Sequence, residues 1–238
     1  MEQTSPYEIF PLGDSALTFD LGNRICSELN QKVIAMQEWF SRHAFEGLKD
    51  VILGYSSLTI IYDPFVVQKK NKITATVFSF VKEKLESAFE NTIESVSKNG
   101  EQIEIPVCYD GDFGRDLPLI AETTQLSIEE IIELHLSTVY RVYMMGFLPG
   151  FAYMGKIDER IQVPRKQKPV DVMAGSVGIA GGQTGIYPLD SPGGWQIIGR
   201  TPVKLFDPNA ERPVKLKAGQ HVRFKRIDVS EFEPLHLV

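Results

Sequence analysis

The chain has 238 residues, enough for one large or two smaller domains with a real core, and its 43% hydrophobic and 24% charged residues are the balance of an ordinary folded protein. Thirty-one acidic against 25 basic side chains give a net charge of -6, which repels nucleic-acid phosphates and anionic lipid. No stretch of about 18 apolar residues is present to span a bilayer, and Met1-Glu2-Gln3-Thr4-Ser5-Pro6 lacks a secretion signal, so a cytoplasmic protein with no membrane and no nucleic-acid partner is expected.

Residues 7–21 alternate loosely around Gly13-Asp14 and predict a strand pair or one bent strand. Ile25, Leu29, Val33, Met36 and Phe40 then recur at the spacing of one helical face and predict a first helix. Residues 50–53 and 57–62, either side of Gly54-Tyr55-Ser56, predict a hairpin that Asp63-Pro64 ends. Ile73, Val77, Val81, Leu85 and Ala88 predict a second helix with Lys82, Glu83, Lys84 and Glu86 on its wet side, stopped by Lys98-Asn99-Gly100. A strand over residues 102–107 completes the order strand, helix, strand, strand, helix, strand, the split βαβ pattern of a ferredoxin-like domain. A boundary falls near residues 95–101, giving domains 1–97 and 98–238, although the strand from Gln102 fits either side.

After a loop over residues 110–114, Ser127 and Glu130 form the sequence signature of a capping box ahead of Ile128, Ile131, Ile132, Leu134 and Leu136. From Val139 onward no helical period survives. Short apolar runs at 140–145, 176–180, 196–198, 203–206 and 221–224, separated by turns, predict a compact β-barrel or sandwich, so the fold class is α+β. Cys26 and Cys108 stand far apart in apolar-looking positions and are expected to be buried thiols without a disulfide.

Eleven of the 19 glycines and six of the 14 prolines fall within residues 146–202. Such density describes rigid loops that aim backbone groups, or simply the tight corners of a barrel. Gly175-Ser176-Val177-Gly178-Ile179-Ala180-Gly181-Gly182-Gln183-Thr184-Gly185 is neither a Walker A loop nor a dinucleotide fingerprint, though its amides leave an anion nest open. Arg165, Lys166 and Lys168 form the one dense basic cluster, readable as a solvated loop or as the seat of a single anion. His135 on its apolar helix reads as a hydrogen-bonded core histidine or as a base, and Phe147, Phe151, Tyr153, Tyr187 and Trp195 as packing or as the wall of a small-molecule pocket. No His-Glu-x-x-His and no Gly-x-Ser-x-Gly occurs, and the four histidines are dispersed, so no metal centre and no self-contained hydrolase is expected.

The run Tyr140-Arg141-Val142-Tyr143-Met144-Met145-Gly146-Phe147-Leu148-Pro149-Gly150-Phe151-Ala152-Tyr153-Met154-Gly155 closely resembles the PxpB/KipI family, also called allophanate hydrolase subunit 1-like. Val163-Pro164-Arg165, the glycine phrase from Ala174 to Pro188, and Ser191-Pro192-Gly193-Gly194-Trp195-Gln196-Ile197-Ile198-Gly199-Arg200-Thr201-Pro202 carry the same likeness, as do Gly13-Asp14-Ser15-Ala16-Leu17 and Gly54-Tyr55-Ser56-Ser57-Leu58, so it covers nearly the whole chain. The resemblance implies a ferredoxin-like N-terminal domain and a cyclophilin-like β-barrel C-terminal domain. It implies the B subunit of a bacterial 5-oxoprolinase, cleaving 5-oxoproline to glutamate with subunits A and C and with ATP and Mg2+ shared across the complex. Other relatives inhibit a sporulation histidine kinase, and a related domain lies in urea amidolyase, so a regulator or a plain binding module is the alternative. On the resemblance, His135, Arg165, Gln183 and Arg200 are the candidate catalytic residues, and Gly150, Phe151, Tyr153, Ser176, Tyr187 and Trp195 the candidate substrate-binding ones. The chain departs from the family pattern at Lys166-Gln167-Lys168, Met173 and Lys156, which bears on substrate identity more than on fold.

Overall fold

A computed structural model describes residues 6–73, 75–92 and 100–236, and the chain divides into two compact units, Met1–Lys98 and Asn99–Val238. The first unit runs β1 (Glu8–Pro11), β2 (Ala16–Asp20), α1 (Ser27–Arg42), β3 (Leu48–Leu53), β4 (Ser57–Tyr62), α2 (Pro64–Lys70) and α3 (Val77–Thr92). Its sheet has the order β1-β2-β4-β3 and is antiparallel throughout. Period-2 alternation sends Leu58, Ile60 and Tyr62 of β4 into the core with Leu17 and Phe19 of β2, where α1 and α3 contribute Val33, Met36, Phe40, Val81 and Leu85. Phe19 ties strand to helix by stacking on Tyr7 at 4.5 Å and meeting Phe89 at 5.2 Å.

Residues 7–21 form a hairpin turned at Gly13, whose φ of +66° is open to glycine without strain. Several boundaries differ from expectation. The strand from Gln102 does not close this sheet; β1 takes the edge beside β2 instead. Asp63-Pro64 ends β4 but also opens α2, because the Asp63 carboxylate accepts from the amides of Phe65 and Val66 at 3.1 Å with Pro64 in the first turn. Ile25 and Ile73 lie before the helices they were expected to open, which start at Ser27 and Val77. Of the expected stop at 98–100, only Gly100 lies among the described residues.

The second unit runs β5 (Gln102–Val107), a 3-10 turn at Gly111–Gly114, α4 (Leu117–Thr124), α5 (Ile128–Leu136), β6 (Val139–Met145), β7 (Ala152–Gly155), β8 (Val170–Val172), β9 (Ser176–Ala180), β10 (Gln183–Ile186), β11 (Ser191–Gly193), β12 (Gln196–Arg200), β13 (His221–Arg226) and α6 (Val229–His236). Ser127 closes a capping box with Glu130 at the start of α5. Seven strands form one sheet in the order β12-β9-β10-β7-β6-β13-β5, with β13 and β5 parallel, while β8 and β11 pair as a separate ribbon. The large sheet curls until its two edges touch, where the backbones of Cys108 and Arg200 exchange two hydrogen bonds of 2.8 Å. Inside the curl, Ile105, Val107, Tyr140, Val142, Met154, Val177, Ile179, Ile186, Ile198 and Val222 form a core that α4 and α5 cover with Ile120, Ile131 and Ile132.

The expected strand at 203–206 does not form; Phe206 makes only an isolated bridge to Val214. Cys108 is a buried free thiol, but Cys26 is half-exposed at the N-cap of α1, with its sulfur 2.8 Å from Glu28 Oε2, which corrects the expectation that both are buried. Among the described residues no helix is long and apolar enough to cross a membrane.

Candidate functional site

The residues singled out in 146–202 fall into separate groups. In the first, Phe151 just before β7, Tyr187 after β10 and Trp195 before β12 pack edge to face, with Phe151 5.2 Å from Tyr187 and 5.5 Å from Trp195. Tyr153 joins at 4.8 Å from Phe151 and 5.8 Å from Trp195. These rings, with Val172, Ala180 and Ile197, make a small cluster apart from the main core. Glycines make room for it. A Cβ at Gly193 would stand 2.5 Å from the Tyr187 hydroxyl, and one at Gly185 3.0 Å from both Phe151 and Trp195. Gly150, at φ +86°, turns the chain into β7 where a Cβ would come within 3.0 Å of Phe206.

Phe151, Tyr187 and Trp195 are thereby packing residues with almost no exposed surface, whereas Tyr153 is half-buried and Phe147, also at positive φ (+67°), is 58% exposed. Arg165 is exposed beside this cluster. Burial pushes the Tyr153 and Tyr187 phenols above their ordinary range, and the positive charge of Arg165 nearby draws both back in part. The Tyr187 oxygen also accepts the Trp195 amide.

The basic cluster is not one patch. Arg165 and Lys168 are exposed, but Lys166 turns inward, with Nζ 2.5 Å from Asp116 Oδ2 and 2.7 Å from Gln196 Oε1. Asp116 and Gln196 stand 50 and 30 residues from Lys166, and no local spacing in the sequence announces either.

A second group lies at the Ser176 end of β9. Ser176 is buried and pairs in register with Arg200 across to β12, and its carbonyl accepts the Tyr187 amide at 2.9 Å. The Arg200 Nε donates to Ala174 O at 2.8 Å, and its guanidinium lies 5.7 Å from the centre of the Phe232 ring of α6. Gln183, half-buried, opens β10 opposite Gly155 and Ala180.

His135 stands alone in the core. Its Nδ1 is 2.9 Å from the Tyr109 hydroxyl, its Nε2 is 3.0 Å from Thr184 Oγ1, and its ring stacks on Phe224 at 4.7 Å. The Thr184 hydroxyl donates to Gly178 O, so its oxygen accepts from Nε2–H and Nδ1 accepts from the tyrosine. Burial drives the His135 pKa down to about 3, which keeps the imidazole neutral.

A phosphate cradle needs free amides, usually at a helix N-terminus. The glycine tract folds instead as the β9–β10 hairpin, with Gly178 opposite Gly185; Gly175 N donates to Tyr187 O and Gly181 N to Val163 O, each at 2.7 Å. The tract therefore does not fit the triphosphate of ATP. A shallow cleft of about 280 Å³ opens elsewhere, lined by Tyr109, Asp110, Leu117, Ile128, Glu129 and Arg226 among others, and none of the candidate residues reaches it. Its Arg226 is already held by Glu129 at 2.7 Å and Asp110 at 3.4 Å. Among the described residues no group of three His, Cys, Asp or Glu is placed to hold a metal ion.

The family model for the carboxyltransferase domain, subdomain C and D, matches residues 7–216. The 5-oxoprolinase B subunit of Bacillus subtilis (strain 168) is 42% identical over 231 residues, 96% of each chain. The protein of the same name from Haemophilus influenzae is 37% identical over 217 residues, 91% of this chain and 96% of that one. The crystal structure of TTHA0988 superposes with a TM-score of 0.75 at 34% identity, covering 90% of this chain but 40% of that longer chain. Matched over most of its length by the family model and over more than nine-tenths of it by these relatives, the chain belongs to the carboxyltransferase-domain family, subdomain C and D, in the group that holds the 5-oxoprolinase B subunits.

Proposed function

We propose that this chain is the B subunit of an ATP-dependent 5-oxoprolinase, which opens the lactam of 5-oxo-L-proline to L-glutamate when assembled with subunits A and C. The observation that carries the reading is the 42% identity to a B subunit across 96% of both chains. In the same reading the first unit is a ferredoxin-like variant with β1 at the sheet edge in place of a closing strand, and the curled sheet is a cyclophilin-like barrel.

The substrate is a flat five-membered lactam carrying a carboxylate. Arg165 supplies a cation for that carboxylate, and the half-buried Tyr153 with the exposed Phe147 offers an apolar face to the ring. Phe151, Tyr187 and Trp195 back this face from beneath, while Gly150 shapes the turn that presents it. Ser176 and Gln183 open β9 and β10 at opposite ends of that hairpin, and His135 and Arg200 hold the strands in place rather than touch substrate. A lactam carbonyl is a poor electrophile until its oxygen carries a better-stabilised charge. ATP with Mg2+ serves that end within the complex, and the strand-bound glycine tract of this chain is not its cradle.

With Phe147 and Arg165 both exposed, a partner surface is needed to enclose substrate, which fits a subunit inactive alone. The test is to mix this chain with subunits A and C and follow ATP-dependent loss of 5-oxoproline. Activity should require all three proteins. Arg165→Ala should lower kcat/KM about tenfold or more with the complex intact, the size of a lost charged hydrogen bond. No activity on reconstitution, with capture of a histidine kinase and loss of its autophosphorylation, would reverse the assignment.

A further inference from the structure

We infer that Lys166 is a positioning residue for Arg165: with Asp116 and Gln196 it locks the loop on both sides of that arginine, so that the guanidinium is presented from a fixed backbone. The inference rests on the reading of Arg165 as the substrate-carboxylate partner.

Three backbone groups that flank Arg165 are engaged. On its N-terminal side the Pro164 carbonyl accepts from Gln196 Nε2 at 3.1 Å, and Val163 O accepts from Gly181 N at 2.7 Å. On its C-terminal side the Lys166 amide donates to Gly194 O at 2.7 Å. Pro164 adds a fixed φ. The Lys166 side chain then ties the same segment to a third element, through Asp116 Oδ2 at 2.5 Å and Gln196 Oε1 at 2.7 Å. Asp116, which directly precedes α4, is itself held on β12, accepting Ile197 N at 2.6 Å and donating its own amide to Ile197 O at 3.0 Å. One glutamine thus receives the ammonium on Oε1 and holds the preceding carbonyl with Nε2, which fixes its amide orientation.

The Lys166 and Asp116 side chains are 16% and 15% exposed, so this pair is shielded enough for loss of one partner to leave a poorly solvated charge on the other. Arg165, in contrast, is exposed, and among the described residues its side chain makes no hydrogen bond or ion pair. Two consecutive cations divide the work: one satisfied and inward, the other free and outward. Pre-organising a charged group in this way lowers the entropy lost when it engages an anion, and a misplacement on the order of 1 Å is enough to weaken catalysis strongly.

The test uses the reconstituted complex and a double-mutant cycle of Arg165→Ala and Lys166→Met, with Lys166→Arg as the conservative variant. Thermal melts accompany each protein. Lys166→Met should raise KM for 5-oxoproline about tenfold with a smaller change in kcat. In the Arg165→Ala background the same substitution should add almost nothing, because its effect runs through the missing guanidinium. Lys166→Arg, which can still reach Asp116, should recover most of the loss. Full additivity of the two substitutions, or an unchanged KM in Lys166→Met while Arg165→Ala is impaired, overturns the positioning role and leaves the substrate reading standing. An unaltered KM and kcat in Arg165→Ala overturns that reading and this inference with it. A Lys166→Met protein that melts early but recovers normal KM at low temperature marks a purely structural lysine and also overturns the inference.

Discussion

The imidazole of His135 is enclosed by Tyr109, Thr184, Tyr140 and Phe224 and has no exposed surface. Its folded pKa lies near 3 because burial penalises the cation, against an ordinary value of 6.5. Between those values the unfolded chain binds a proton that the folded chain refuses, so stability is full above pH 6.5 and declines as pH falls toward 3. Unfolding free energy from urea titrations should drop by about 1 kcal/mol between pH 6.5 and 5.5, and that slope should flatten in His135→Gln. The carboxyl groups held low, at Glu130, Asp158 and Asp207, titrate further into the acid and do not contribute in this window. Parallel pH curves for the two proteins would remove His135 as the source. The sequence offered both a base and a core histidine here, since an apolar helix carries either; only the positions of Tyr109 and Thr184, 26 and 49 residues away, separate them. Arg165 was legible as a candidate cation, but the inward turn of Lys166 was not, because its partners come from distant segments.

Among the elements, β9 and β12 were visible as apolar runs, while β7 and β10 were hidden. Each of those is four residues long and contains a glycine, so neither shows an alternation long enough to read. The glycine tract was read as rigid loops or barrel corners, and it forms the β9–β10 hairpin instead, where Gly178 and Gly185 sit opposite each other to admit Trp195 and Phe151. Helices α2 and α4, at seven and eight residues, are too short for a helical period to stand out. Gly199 marks the place where the curled sheet meets itself. A Cβ there would lie 2.7 Å from Val107 Cγ1 and 2.9 Å from Cys108 O, against the paired strand edges. Gly199→Ala should therefore destabilise the protein by about 1–3 kcal/mol in chemical denaturation, the range for overpacking. Gly194→Ala is the control, since its nearest neighbour would be Lys166 O at 3.7 Å. Equal stability of both variants would mean that the seam tolerates separation and contributes little.

At the scale of the whole molecule, the decisive contact is one that no periodicity reveals: β5 pairs in parallel with β13, joining Ile103 to Val222 and Ile105 to Phe224 across more than 100 residues of chain. Local patterning left the strand from Gln102 free to belong to either domain, because a strand's partner is set by long-range packing rather than by its own residues. The pairing places Ile105 and Val107 with no exposed surface in the core of the second unit, and Cys108 on the seam with Arg200. A fragment beginning at residue 100 keeps all of these contacts and should unfold in a single cooperative urea transition. A fragment beginning at residue 109 loses β5 and the seam together, exposes the β13 edge, and buries two fewer large aliphatic side chains at about 1.5–3 kcal/mol each. For a unit of this size that loss is a large part of the margin, so the shorter fragment should unfold broadly or aggregate. Cooperative unfolding of both fragments, with matching slopes against urea, would place β5 outside the folding unit and move the domain boundary to its C-terminal side.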